Sequence, residues 1–444
     1  MRTSGKLFRA LRAVISASLV SARQLAFRVG RWSAQALWRQ LPPPFRQKTF
    51  QIAVARLRPT LSEVPADLAL DPNIPRIVVG FLSSQSGLGQ SARLAAAALQ
   101  RAGLLVYGVD LSAFFYEGAG KIAHNLPDGR AERGPGHVIL VVNAPYAPYA
   151  LQILGRRFVE AKYVTGYWAW ELPRLPQNWG DGFSVVHDLA APSSFTASAI
   201  KRFGGDIPVR VALHPVTLDY PSLENARPHS GPFSILTAFN IGSGFARKNP
   251  CALIRAFKRA FGNSSSVQLK LLATNAAHYP PAKSEIRAAI GTANNISVEW
   301  KAVNRGEYLE WWRAVDVYVS LHRSEGFGLP LAEALCAGLP TVGTGWSGNM
   351  DFMTESNSYP VKFSLVDVCD EQQKYPNNLG QWADPNVDHA AAILDYLATH
   401  RTEAAQKALA GAAGVRAKLA GSAFVDALMG RSRWSLPTAR RLSA

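Results

Sequence analysis

From residue 77 onward, short uninterrupted apolar runs alternate with longer segments whose apolar residues recur at helical spacing. The runs IVVGFL (77–82), VYGVD (106–110), HVILVV (137–142), AKYVTGYW (161–168) and PVRVAL (208–213) read as strands buried on both faces. Between them, ARLAAAALQRAG (92–103) reads as a helix closed by Gly103, and SSFTASAIKRFG (193–204) as a serine-capped helix. The stretch 214–232, HPVTLDYPSLENARPHSGP, is a linker by composition. A second series follows, with strands FSILTAF (233–239), VQLKLLAT (267–274), ISVEW (296–300), DVYVSL (316–321) and TVGT (341–344). Helical patterns lie at 249–261, near 282–290, at 307–315 and from about Leu329. Two βα series joined by a linker predict an α/β architecture of two doubly wound, Rossmann-like domains, residues 75–215 and 232–400, facing a cleft. Ligands of such sheets sit at the carboxyl ends of the strands, so the cleft is the expected site. The alanine-rich stretch 387–420 is expected to pack back across it, and residues 401–444 to close the chain with a helix and a basic tail.

Residues 1–60 behave differently. They hold twelve Lys and Arg and no Asp or Glu, whereas the whole 444-residue chain carries +17, which leaves +5 for the remainder. The chain is therefore a near-neutral globular body with a basic arm. Within the arm, Leu7, Leu11, Val14, Ile15 and Leu19 fall at helical spacing, and Phe27, Trp32 and Trp38 stand among arginines. Its longest uncharged run, Ala13 to Ala22, is too short to span a bilayer. The expectation is an amphipathic helix on an anionic membrane surface, hence a peripheral protein on the cytoplasmic face. A transit peptide shares this composition. A nucleic-acid arm and an upstream stretch with no role are the other readings, and no nucleic-acid partner is expected. Cys251, Cys336 and Cys369 form no CxxC pair and no Cys/His cluster, which fits a reducing compartment and excludes a disulfide framework or structural zinc.

The most informative stretch is SEGFGLPLAEALCAGLPTVGTGWSGNMDFM (324–353), directly after the strand DVYVSL. Gly326, Phe327 and Gly328 make a flexible loop, and Pro330 suits the first turn of the helix that follows. Such a helix start offers unpaired N–H groups and a positive dipole end, a seat for a diphosphate. Glu325 lies in the loop. Glu333, with seven residues between, lies in the first turns and can accept both hydroxyls of a ribose.

The segment from Glu325 to Glu333 resembles the signature of the retaining glycosyltransferase family 4, which has the GT-B fold. The resemblance extends over roughly residues 76–425. It implies that Glu325 lies by the donor sugar, that Glu333 binds the ribose, and that the loop backbone from Gly326 through Phe327 and Gly328 to Leu329 touches sugar and phosphate. A second match is FNIGSGFARKNPCALIRAF (239–257), where Arg247 and Lys248 stand before a helix in a glycine-rich loop. Fixed cations there stabilise a departing diphosphate more in the transition state than in the ground state. Many members carry an earlier arginine, where this chain reads Asn240-Ile-Gly-Ser. A third match is SSQSGLGQSARLAAAAL (83–99), whose Gly87 and Gly89 resemble the family's first glycine-rich loop, close to donor phosphate and acceptor.

The first domain departs from the family pattern. Neither VVNAPYAPY (141–149) nor TGYWAWELPRLPQNW (165–179) holds the histidine that many members direct at the donor sugar. Asn143, Trp168, Trp170 and Glu171 are the candidates for that space, in contact with acceptor or sugar. His187 and His214 read as structural. No DxD motif or metal-ligand spacing is present, so no metal and no cofactor are expected. The resemblance implies a metal-independent, retaining hexosyltransferase acting from a nucleotide-diphosphate sugar on a saccharide or lipid-linked acceptor, by analogy in bacterial surface-polysaccharide synthesis. Two rivals are a glycoside hydrolase and a non-catalytic, membrane-associated scaffold on a transferase fold.

Overall fold

The computed structural model describes residues 59–115, 122–216, 231–301 and 305–430. The expected membrane-binding arm, most of the linker and the basic tail lie outside the described residues. In chain order the first half holds β1 (Arg76–Gly80), α1 (Gly87–Arg101), β2 (Val106–Asp110), β3 (Gly136–Val141), α2 (Ala147–Leu154), β4 (Lys162–Tyr167), β5 (Asp188–Ala191), α3 (Ser194–Phe203) and β6 (Val209–Val211). The second half holds β7 (Phe233–Asn240), the short α4 (Phe245–Lys248), α5 (Pro250–Phe261), β8 (Val267–Thr274), α6 (Pro281–Ile290), β9 (Ile296–Glu299), α7 (Arg305–Arg313), β10 (Val317–Ser320), α8 (Leu329–Ala337), β11 (Thr341–Thr344) and β12 (Tyr359–Val361). A hairpin of β13 (Phe363–Asp367) and β14 (Gln381–Pro385) precedes α9 (Val387–Thr399), α10 (Arg401–Lys418) and α11 (Gly421–Leu428).

Among the described residues the strands form two six-stranded sheets, ordered β2-β1-β3-β4-β5-β6 and β12-β11-β10-β7-β8-β9, plus the antiparallel hairpin. The recorded pairings within both large sheets are parallel. Every residue of β1, β3 and β4 is buried, as strands covered on both faces require. Each sheet reverses its direction of growth once, between β1 and β3 in the first and between β7 and β10 in the second. At such a reversal the loops after the two central strands leave in opposite senses and open a crevice. The loop after β7 carries Arg247 and Lys248, and the loop after β10 carries Glu325. Sheet order, rather than chain distance, therefore brings these residues together.

Three features differ from expectation. The 387–420 stretch is two helices broken at His400, and both pack on the second sheet's own helices, α9 on α5 and α10 on α8. Of these C-terminal helices it is α11 that packs on the first domain, against α1. The hairpin and the short strands β5 and β12 had no long apolar run to announce them. The chain before β1 also belongs to the folded body: Leu61 packs on the first core, the Ser62 carbonyl meets His187 Nε2 at 3.0 Å, and Arg76 Nη2 donates to the Asp71 carbonyl at 2.6 Å.

Candidate active site

Arg247 and Lys248 end the one-turn helix α4, and Asn249 in the left-handed region (φ 49°) then starts α5, with Pro250 at its first turn. Glycine makes this approach possible, because Gly244 (φ 108°) turns the chain directly before α4. The Glu325 carboxylate lies between the two cations, 3.0 Å from Arg247 Nη1 and 2.5 Å from Lys248 Nζ. Arg247 is only 2% exposed and Glu325 7%. The guanidinium also donates to the carbonyls of Ser324 at 2.8 Å and Ser243 at 3.0 Å, so it is bonded to both switch-point loops. From the first domain, Glu171 brings a carboxylate to 4.0 Å from Arg247 Nη2.

The charges of this cluster are strongly coupled. Burial alone raises the Glu325 pKa, but Lys248 and then Arg247 outweigh it and hold the carboxyl well below its usual range. At Lys248 the balance is opposite, since burial outweighs the attraction of Glu325 and lowers the ammonium's pKa. One carboxylate facing two cations gains more than either cation does from sharing it, so Glu325 is held ionised. His322, buried behind the loop, bonds Asn349 Oδ1 through Nε2 at 3.0 Å, and burial lowers its pKa.

The 324–328 loop is held from both sides. Ser347 Oγ accepts from the Glu325 N–H at 2.8 Å, and the Gly348 N–H donates to the Glu325 carbonyl at 2.9 Å. The Gly326 carbonyl accepts from Ser193 Oγ at 2.5 Å and Thr196 Oγ1 at 3.3 Å, while Ser324 Oγ donates to the Glu171 carbonyl. A Cβ on Gly326 would lie 3.1 Å from the Trp170 carbonyl oxygen, so this glycine is where the two domains' backbones meet. Gly328 takes φ 94° and starts α8. Phe327 turns into the core against Phe352 and His214, leaving only its backbone to the loop, and Leu329 is half-buried. Glu333 is 7% exposed on α8, within electrostatic reach of Tyr318 and Cys336. In the first domain, Ser86 caps α1 by accepting from the Gly89 N–H at 3.1 Å. Gly89 is needed there, because a Cβ would lie 2.5 Å from the Ser84 carbonyl oxygen, whereas Gly87 faces open space.

The aromatic candidates take other roles. Trp168 is fully buried edge-on to Trp179 and Phe183, and Trp170 packs on Trp179 and Tyr375 with its Nε1 donating to the Arg174 carbonyl. Both rings are core, so neither forms the sugar platform expected of it. Asn143 accepts from the Ala169 N–H at 3.0 Å and shapes the turn that presents Glu171. His214 is a buried bridge between Ser91 and Tyr167, its imidazole pushed down to about 3 by burial. Sequence reasoning missed Tyr375, from the hairpin loop, and Asp351, whose carboxylate accepts from the Ser194 N–H at 2.6 Å and so caps α3 across the domain boundary. Neither carries a local motif. Among the described residues no group of three or more His, Cys, Asp or Glu is placed to hold a metal ion. A separate cavity of about 390 Å³ lies beside α4, lined by Asn249, Cys251, Arg255, Cys369 and Trp382, and Arg247, Lys248, Glu325 and Glu171 do not border it.

Two parallel, doubly wound sheets with a shared charged crevice at their carboxyl ends define the GT-B class of fold. The chain belongs to the family described as "Family 4 Glycosyltransferase in conflict systems", whose model matches residues 196–421, just over half of the chain. No curated protein matches it. Among solved structures, Anabaena HepE in complex with UDP and glucose is 11% identical, with 81% of this chain and 99% of that one covered at a TM-score of 0.56. A glycosyltransferase from Rickettsia africae is 14% identical, with 81% and 98% covered at a TM-score of 0.57. Against S. aureus TarM, 13% identical, 67% of this chain is covered at a TM-score of 0.49, and the chain spans about half of that protein's length, 54%.

Proposed function

We propose that the protein is a retaining, metal-independent glycosyltransferase that moves a hexose from a nucleotide diphosphate to a saccharide or lipid-linked acceptor. The observation that carries this reading is the convergence of Arg247, Lys248 and Glu325 at the switch point, with Glu171 arriving from the facing domain. Breaking the bond between the anomeric carbon and the diphosphate leaves negative charge on the departing oxygen. Arg247 and Lys248 stand where that charge would develop, together with the start of α8. The acceptor hydroxyl then forms its bond on the same face and passes its proton to the leaving phosphate. Glu333 would bind the ribose and Glu325 the donor sugar. Glu325 pairs with both cations, so a bound diphosphate competes with it for them.

A hydrolase fits less well, since its paired carboxylates flank the scissile bond. Here Glu325 and Glu333 share one loop and helix, and the facing carboxylate, Glu171, is beside a guanidinium. The basic arm supports docking on the inner face of an anionic membrane and a lipid-linked acceptor of surface-polysaccharide assembly. The family description supports a second setting, a conflict system. The test is nucleotide release from a panel of UDP-, GDP- and ADP-sugars, beginning with UDP-sugars because HepE binds UDP, followed by assignment of the product anomer. A wild-type protein that turns over no donor with any saccharide acceptor overturns the reading, and an inverted anomer overturns retention.

A further inference from the structure

The first turn of α3 is wedged between the two segments that carry the site's carboxylates. Ser193 and Thr196, both fully buried, stand one turn apart at its start. Ser193 Oγ accepts from the Thr196 N–H at 3.1 Å, which caps the helix, and directs its own proton to the Gly326 carbonyl at 2.5 Å. Thr196 Oγ1 donates to the Trp170 carbonyl at 2.8 Å, with the Gly326 carbonyl 3.3 Å away. The Gly326 carbonyl follows Glu325 by one residue, and the Trp170 carbonyl belongs to the peptide that enters Glu171. A further contact fixes the helix itself, because Asp351 accepts from the Ser194 N–H at 2.6 Å and from its hydroxyl. Asp351 ends the short turn begun by Ser347 and Gly348, which bond the Glu325 N–H and carbonyl.

We propose that Ser193 and Thr196 are positioning residues, a clamp in the first domain that sets the Glu325 loop against the Glu171 segment. This rests on the reading above, in which Glu325 meets the donor sugar and Glu171 comes to it from the facing domain. Three backbone groups around Glu325 are bonded: its N–H and carbonyl from within its own domain, and the next carbonyl from α3. The first two need only the second domain, whereas the third exists only while the domains touch. Closing the domains therefore completes the placing of Glu325. A residue that only capped α3 would need no donor at position 193. Here the serine's proton points away from its own helix, at a carbonyl 133 residues on, and burial leaves no water to replace it.

The test uses the full-length protein with Ser193→Ala, Ser193→Gly, Thr196→Val and Thr196→Ser, and the donor that the wild type turns over from the UDP-, GDP- and ADP-sugar panel. Glycine caps a helix nearly as well as serine, alanine does not, and neither can donate to Gly326. Capping alone therefore predicts that Ser193→Gly behaves as wild type. The clamp predicts that both variants lose about tenfold in kcat, through a buried carbonyl left unbonded. Affinity for that donor's nucleoside diphosphate, by calorimetry, stays within about twofold, because the ion pairs of Arg247 and Lys248 need neither hydroxyl. Thr196→Val lowers kcat about fivefold, and Thr196→Ser, which keeps the hydroxyl, restores it. Hydrogen exchange tests the clamp without turnover: the amides of residues 324–328 exchange about tenfold faster in Ser193→Gly, while those of α3 do not change. Wild-type kcat in Ser193→Gly, a matching fall in nucleotide affinity, equal losses in Thr196→Val and Thr196→Ser, or unchanged exchange at 324–328 each overturn the proposal. A wild type that transfers from no donor overturns the transferase reading instead, and the exchange result alone then decides the clamp.

Discussion

Glu325 is the residue on which the site's electrostatics turn, because its single carboxylate pairs with both Lys248 and Arg247. Its folded-state pKa lies below the unfolded value, so its ion pairs stabilise the fold above the usual carboxylate range and lose that effect as pH falls toward the folded value. The melting-temperature gap between wild type and Glu325→Gln should therefore be constant above about pH 5 and narrow below about pH 4. A gap that widens on acidification contradicts the assignment. The same variant should bind the nucleotide diphosphate of its donor about tenfold more tightly while its turnover collapses, because a negative charge within 3.0 Å of two cations has gone. Unchanged affinity for that nucleotide would show that the diphosphate lies elsewhere. Replacing Arg247 or Lys248 by Ala should lower kcat about a hundredfold, as other lost transition-state donors do, whereas a change in KM alone would make them binding residues only.

At the level of elements, the glycines of the motifs divide into those the packing needs and those it does not. Ala at Gly348 would put a Cβ 2.3 Å from the Gly326 carbonyl oxygen, and at Gly89 2.5 Å from that of Ser84, backbone contacts that no side-chain movement relieves. Each substitution should cost about 1–3 kcal/mol in thermal or chemical melts. Gly87→Ala, in open space on α1, should be neutral or stabilise by up to about 1 kcal/mol. Equal effects at Gly87 and Gly89 would refute this division. From sequence the glycines looked alike, because close backbone approach is a property of two elements and only one of them is local.

Over the whole molecule, the folded body and the basic arm make separate demands. The folded body begins before β1, so removal of the arm is tested by a protein starting at Pro59 rather than at Arg76. The full chain should sediment with anionic vesicles at low salt and release at high salt, with attraction of about 1 kcal/mol per basic residue at the surface. The protein starting at Pro59 should stay in solution and still act on a short soluble acceptor. Equal vesicle binding by both would sink the docking role. Activity should also survive EDTA, and loss restored by manganese or magnesium would show that a metal shares the work of Arg247 and Lys248.

The periodicity of the chain determined the two βα series, because burial on both faces of a parallel strand demands an unbroken apolar run, which is a local property. It also determined the loop and helix from Glu325 to Glu333 and the basic pair before Pro250, since glycine, proline and charge act within a few residues of one another. Only the tertiary structure decided which of these residues meet. Sheet order placed Lys248 beside Glu325 across 77 residues, and domain closure brought Glu171 to Arg247. Packing on Trp179 and Phe183 buried Trp168, and packing on Trp179 and Tyr375 buried Trp170, two rings whose aromatic character suits a sugar face and a core equally well until neighbours are known. Tyr375 was illegible for the converse reason. Its loop has no motif, and only folding brings its ring beneath Arg247 and against Trp170.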